Sequence, residues 1–244
     1  MSCLKIEEHG PVTVFTIDNA AKRNVISQAT ALDLQRAFAE FDRSAQRVAI
    51  ITGAGDEAFT AGADLNDIPE FWRCTPGAGI ATDKPIIAAA AGWCIGGGIT
   101  LLGMCDLAVA ADNTRFMYPE ARLGFTQGFI TGIAARIPQK VAMEIMLLGR
   151  TIDAARAYEV GLVNQVVPTG RQLGVALEMA HEIAAHAPLV VRTIKRFVHE
   201  LLPASPAESY ARTLQQLDAM RLSDDVREGQ QAFREKRPPN FQGR

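Results

Sequence analysis

Much of what would announce a metal protein, a nucleotide enzyme or a membrane protein is missing from this chain of 244 residues. Its four cysteines, Cys3, Cys74, Cys94 and Cys105, show no paired ligand spacing, and its four histidines, His9, His181, His186 and His199, are scattered. Structural and catalytic zinc need clustered N and S donors, so no metal site is expected. Thiols among apolar neighbours read instead as reduced, packed side chains of a cytoplasmic protein. No Gly-Lys-Ser/Thr follows a glycine loop, and no Gly-x-Gly-x-x-Gly follows a first strand, which removes the P-loop and the dinucleotide fingerprint. Neither sign of charge dominates: Lys plus Arg is 25 against 27 for Asp plus Glu. With no basic field, nucleic acid and anionic membranes are not expected partners. Met1 to Lys5 lack a charged stretch leading into an apolar one, and the apolar run from Ile86 to Val109 is broken by glycines and Asp106. Neither a signal peptide nor a membrane span is therefore expected. Fixed-period repeats and low-complexity linkers are absent too.

What is present is a chain with 48% hydrophobic residues, enough for a substantial core. Leu4 to Asp18 alternates around Gly10-Pro11, as an edge hairpin does. Ser27 reads as the cap of an amphipathic helix over Gln28 to Asp42, with a strand at Val48 to Thr52 beyond it. Asp56 to Leu65 reads as a loop entering a short helix near Ala63. Ile86 to Ala90 is a buried strand, the glycine run that follows opens a helix to about Gly103, and extended segments are expected at Leu107 to Ala110 and Arg115 to Tyr118. Thr151 is expected to cap a helix stopped by Gly161, with a strand over Leu162 to Val167. After Pro168 the pattern is helical only, over 171–187, 189–201, 206–221 and 224–235. Strands alternating with helices and then helices alone predict an α/β core, residues 1–187, carrying a helical appendage, residues 188–244.

Chemistry converges on two glycine-containing turns. Gly96, Gly97 and Gly98 sit where a buried strand passes into a helix, so backbone N–H groups there can face a ligand and the helix dipole adds positive potential. Gly62-Ala63 offers a second set. A donor from each could surround one oxygen, the arrangement of an oxyanion hole. Glu120 is the candidate base, because Pro119 fixes its backbone and Leu123-Gly124-Phe125 beside it would desolvate the carboxyl and raise its pKa toward neutrality.

Ala58-Phe-Thr-Ala-Gly-Ala-Asp-Leu65, Lys84 to Gly92, Ile95-Gly-Gly-Gly98, Met104-Cys-Asp-Leu107 and Pro119-Glu120, in this order, resemble the crotonase family of enoyl-CoA hydratases and isomerases. The likeness extends from Asn19 to Arg23 through Gly149-Arg150 and Ala157 to Val163 to the tail Arg227 to Pro238. It implies a crotonase-like spiral of ββα units with a C-terminal helical trimerisation region, assembled as a homotrimer or hexamer. It also implies an acyl-CoA thioester as substrate, with no separate cofactor and no metal. By motif, Ala63 and Gly97 are the two oxyanion donors and Glu120 the acid/base. Ala61, Asp64, Leu65 and Gly96 lie in the same substrate-binding motifs. Lys22 and Val25, and from the tail Phe233 and Lys236, are implied to hold the CoA handle, the tail pair reaching a neighbouring subunit.

Two departures matter. A hydratase of this family carries a glutamate two residues after the third glycine, where this chain has Thr100, and a hydroxyl cannot act as a carboxylate base. A single glutamate suffices to move a double bond, so an enoyl-CoA isomerase is expected, with a hydratase or a catalytically silent acyl-CoA binding protein as the alternatives. Gly128 likewise lacks the carboxylate of dienoyl-CoA isomerases and dehalogenases. The segment between Leu65 and Lys84 is also short, so Phe71, Trp72, Pro76 and the glycines around Ala78 are expected to shape a different or partly open chamber, lined further by Tyr118 and Gln127.

Overall fold

A computed structural model describes residues 3–243. The reading of Met1 and Ser2 lies outside them. Gly10 turns β1 (Leu4–His9) back on β2 (Val12–Ile17) as an antiparallel hairpin. Ser27 caps α1 (Gln28–Arg43) by accepting the Thr30 N–H. β3 (Val48–Gly53) and the short β4 (Ala58–Thr60) precede β5 (Ile86–Ala90) and β6 (Trp93–Ile95). The glycine run opens α2 (Gly97–Gly103), followed by β7 (Leu107–Ala111), β8 (Arg115–Met117) and the single turn α3 (Glu120–Leu123). After the 3-10 stretch Phe129–Ala135 come α4 (Gln139–Met143), β9 (Ile152–Asp153), α5 (Ala154–Glu159) and β10 (Gln165–Val167). Helices α6 (Gln172–Ala185), α7 (Pro188–Leu201), α8 (Pro206–Arg221) and α9 (Asp224–Glu235) complete the chain.

The strands form two sheets. Six run in the order β1-β2-β3-β5-β7-β10, parallel except for the first pair, and four run β4-β6-β8-β9, parallel except for the last. β5 is apolar without a break and β3 is so as far as Ile51, as strands covered on both faces tend to be. Their alternate residues serve two cores. Val12, Val14, Val48, Ile50, Ile87 and Val109 meet α6, whose Ala176, Ala180 and Ala184 recur every four residues and let the helix lie close. Phe15, Ile51, Ala88 and Ala110 face the other way, into the larger core with Phe38 and Phe41 of α1. There Phe15 stacks on Phe38 with ring centroids 4.3 Å apart.

Several expectations need correction. No helix begins at Ala63: Ile26 N–H donates to Gly62 O and Asp64 N–H to Ile26 O, so the chain is pinned in a strand-like bridge. Asp153, not Thr151, caps α5, because its carboxylate reaches the Arg156 N–H. The strand expected over 162–167 is confined to β10, since Gly161 and Leu162 are spent closing the end of α5. The apolar segment ending at Trp93 is split between sheets at Gly92. There φ is +64° and an added Cβ would lie 2.0 Å from Glu57 O. Among the described residues no helix is long and apolar enough to cross a membrane.

Candidate active site

The site is built on backbone before side chains. At the end of β6, Gly96 takes φ 56° and ψ −119° and donates its N–H to Met117 O at 2.9 Å, which aims the start of α2 inward. Glycine is required here by what stands above it. A Cβ on Gly96 would lie 2.5 Å from Glu120 Oε1, and one on Gly97 would lie 2.3 Å from the ring of Phe71. The second turn is fixed residue by residue. Ala61 N–H donates to Arg23 O, Gly62 N–H to Thr60 Oγ1 and Asp64 N–H to Ile26 O. Gly62 touches the first turn, since its Cβ would fall 2.7 Å from Ile95 O and 3.4 Å from Gly97 N. Left over are the N–H groups of Ala63 and Gly97. Among the described residues neither donates to any acceptor, and both residues line the chamber together with Glu120.

Glu120 is the first residue of α3. Its Oε2 is inaccessible to solvent and has no hydrogen-bond partner among the described residues. Burial raises its pKa to about 7, against a smaller opposing pull from its own backbone N–H. A carboxyl in that state can hold or release a proton near neutral pH. Beside it, burial pushes the Tyr118 phenol up to about 12, and its OH lies 2.7 Å from Thr126 Oγ1. Thr100, buried in α2, lines the inner chamber where Glu120 is the only carboxylate.

Lys22, Val25, Ala61, Asp64, Leu65 and Gly96 line a cavity of about 430 Å³ that opens outward from Glu120. Lys22 Nζ stands 3.8 Å from Asp64 Oδ2 at its mouth. Inward, the free space shrinks to about 30 Å³. The inner chamber is thus narrow. Of the residues expected to shape it, Phe71 does so. Trp72 and Ala78 pack instead with Phe129 and Ala211, and Pro76 pairs with Ile80. Gln127 lines the chamber, but its amide is spent on the segment opposite, accepting from Phe71 N–H and donating to Pro69 O.

Phe233 and Lys236 are not brought to this cavity within the chain. Phe233 projects from α9 with 86% of its surface exposed, and Lys236 caps the same helix at φ 54°. Leu123 and Phe125, expected to desolvate Glu120, complete the cavity wall, whereas sequence reasoning missed Asn24. Asn24 holds the loop that carries Lys22 and Val25, donating to Ala54 O and Ala58 O while accepting from Asn19 N–H. An asparagine between two charged residues and a helix cap, in a loop with no glycine, was the available signal for its left-handed φ of 55°. No group of three acidic, histidine or cysteine side chains converges among the described residues.

Two sheets of ββα layers with a glycine turn under the half-buried Glu120 define a crotonase-fold enzyme. The model of the enoyl-CoA hydratase/isomerase family matches residues 7–73 and 78–244, and the chain belongs to that family. Over 99% of its length it is 35% identical to a carnitinyl-CoA dehydratase of Citrobacter koseri, of which it covers 98%. Among solved structures it is similar to a carnitinyl-CoA hydratase from Mycobacterium avium, at a TM-score of 0.77 and 32% identity with both chains fully covered. An enoyl-CoA hydratase from Mycobacterium tuberculosis H37Rv is similar at 0.76 and 33%, again over both full chains.

Proposed function

We propose that the protein binds an acyl-CoA thioester with its carbonyl oxygen between the N–H groups of Ala63 and Gly97, and that Glu120 alone moves the proton at the neighbouring carbon. Ionised Glu120 takes the α proton of a 3-enoyl thioester. The electron pair spreads onto the carbonyl oxygen, where two preorganised donors stabilise it. The same carboxyl returns the proton at the γ carbon, leaving the double bond in the 2,3 position. No metal and no further cofactor are needed, since coenzyme A arrives as part of the substrate. The observation that carries this reading is the single unpartnered carboxyl of the chamber, with Thr100 where a second would stand. Lys22 and Val25, at the cavity mouth, are assigned to the CoA handle. A 3-enoyl-CoA should be converted to the 2-enoyl isomer, and Glu120→Gln should abolish the conversion. Unchanged turnover in that variant removes Glu120 from the mechanism.

A second reading is reversible hydration or dehydration, favoured by the names of the relatives just described. In it Glu120 handles both the proton and the oxygen, with Thr100 positioning water. Rapid hydration of crotonyl-CoA without isomerisation would select this reading, and binding of both thioesters without conversion of either would select a silent binding protein.

Residues 188–244 are assigned to self-association into a homotrimer or hexamer. Leu189, Ile194, Phe197 and Leu201 form an exposed apolar stripe on α7, which supports an assembly that covers it. Light scattering that reports a monomer would contradict this assignment.

A further inference from the structure

The cavity at Glu120 is divided unevenly, with about 430 Å³ on its outer side and about 30 Å³ beyond the carboxyl toward Thr100, Tyr118 and Ile130. The inner part has room for about one or two water-sized groups. What takes up the space is the ring of Phe71, standing directly over Gly97. This ring is held from both sides of its own backbone. Phe71 N–H donates to Gln127 Oε1 at 3.1 Å, and Phe71 O accepts from Thr75 Oγ1 at 2.8 Å. Gln127 Nε2 donates in turn to Pro69 O at 2.9 Å, so one amide clasps the 69–71 segment against the 126–128 turn. The ring itself is 4% exposed and belongs to the main core. The opposite wall is no softer: Tyr118 is tied to Thr126, and Phe129 and Ile130 are buried.

We infer that Phe71, clasped by Gln127, is the specificity-determining residue of this site, ending the acyl chamber just past Glu120 and restricting it to short-chain acyl-CoA thioesters. The inference rests on the reading above, in which the acyl carbons run inward past Glu120. To admit a long chain, the ring would have to enter an already filled core, where added volume is resisted. A chain too long for the chamber can seat its carbonyl only by pushing on this ring, and overpacking of that kind weakens binding by about tenfold or more. Gln127 touches no substrate in this scheme. It acts through Phe71 and is a positioning residue.

Calorimetric titration with the saturated thioesters acetyl-, butyryl-, octanoyl- and decanoyl-CoA tests this without any chemistry taking place. The wild-type protein should bind butyryl-CoA best and decanoyl-CoA at least about tenfold more weakly. Phe71→Ala should move the optimum to the longer thioesters. Gln127→Ala should move it the same way, and Gln127→Glu, which keeps an acceptor for Phe71 N–H, should move it less. A merely structural role for Gln127 would weaken binding of every chain length alike. If Phe71→Ala fails to fold, as judged by its melting curve, Phe71→Leu is read in the same profile. Equal affinity for butyryl- and decanoyl-CoA in the wild type, or an unaltered profile in the Phe71 variants, overturns the inference and leaves the acyl-CoA reading intact. Failure of every thioester to bind overturns both.

Discussion

At the scale of single residues, Glu120 carries two opposite consequences of one burial. Because its native pKa of about 7 lies above the ordinary 4.5, the native state holds its proton more tightly than the unfolded chain does. Its contribution to stability is therefore full below pH 4.5 and is lost as pH rises through about 7. Glu120→Gln should raise stability at pH 8 by about 1 kcal/mol, a figure reduced for the partial exposure of the site, and should change little at pH 4. Denaturant melts at the two pH values check this, and equal shifts at both would contradict it. The rate requires the opposite form. Removal of an α proton needs the carboxylate, so kcat/KM should fall tenfold per pH unit below about 7 and level off above. Gly97 is constrained from the other side. Gly97→Ala places a methyl 2.3 Å from the Phe71 ring, so either the ring or the donor must move. A displaced oxyanion donor typically costs 10²–10³-fold, and a loss of about 100-fold in kcat is expected. Single-turnover kinetics with saturating substrate would show it.

At the scale of elements, the loop between β2 and α1 matters more to the site than either neighbour, because it carries Lys22 and Val25 and is held by one side chain. Asn24 is 1% exposed and makes three hydrogen bonds through its amide, while its own carbonyl accepts from Thr60 Oγ1 at 2.6 Å. Asn24→Ala would strand Ala54 O and Ala58 O, at a cost of about 2 to 4 kcal/mol. Urea titration measures the loss, and a variant as stable as the wild type would mean that water replaces the amide. Elements whose cause is local were legible beforehand: the hairpin at Gly10, the Ser27 cap, the helix opened by the glycine run and the desolvated carboxyl after Pro119. Others depend on a distant partner. Gly92 splits an apolar run because Glu57 O leaves no space for a Cβ, and Phe71 reaches the site because Gln127, far along the chain, fixes its amide. The turns between Phe129 and Leu148, part 3-10, part α and part π, never keep a 3.6-residue period long enough to be seen. Phe233 and Lys236 came from family motif alone, which says nothing of where α9 lies within one chain.

At the scale of the whole molecule, the question is what fastens the last helices to the sheet that builds the site. Much of α7 is exposed, yet Lys195 on it is only 9% exposed and its Nζ donates to both Lys84 O and Asp106 Oδ2 at 2.7 Å. Asp106 also accepts from Ile86 N–H at the start of β5, so one carboxylate joins the sheet to the helix. Burial alone would raise its pKa. The His199 hydrogen bond and the Lys195 charge more than offset this and hold it below the usual carboxylate range. The sign is then the reverse of that for Glu120: stability from this group is present above its ordinary pKa of 3.8 and is lost as pH falls through the lower native value. Asp106→Asn keeps the shape but leaves Lys195 buried without its counter-charge, and breaking such a pair typically costs about 3 to 5 kcal/mol. Adding Lys195→Met should recover much of that loss, since the orphaned charge is gone. In limited proteolysis, the single variant should be cut first between α6 and α8 while residues 3–185 persist. If Asp106→Asn and the double variant melt together, the cost lies in the β5 hydrogen bond and not in the buried cation, and the helix is held by its packing alone.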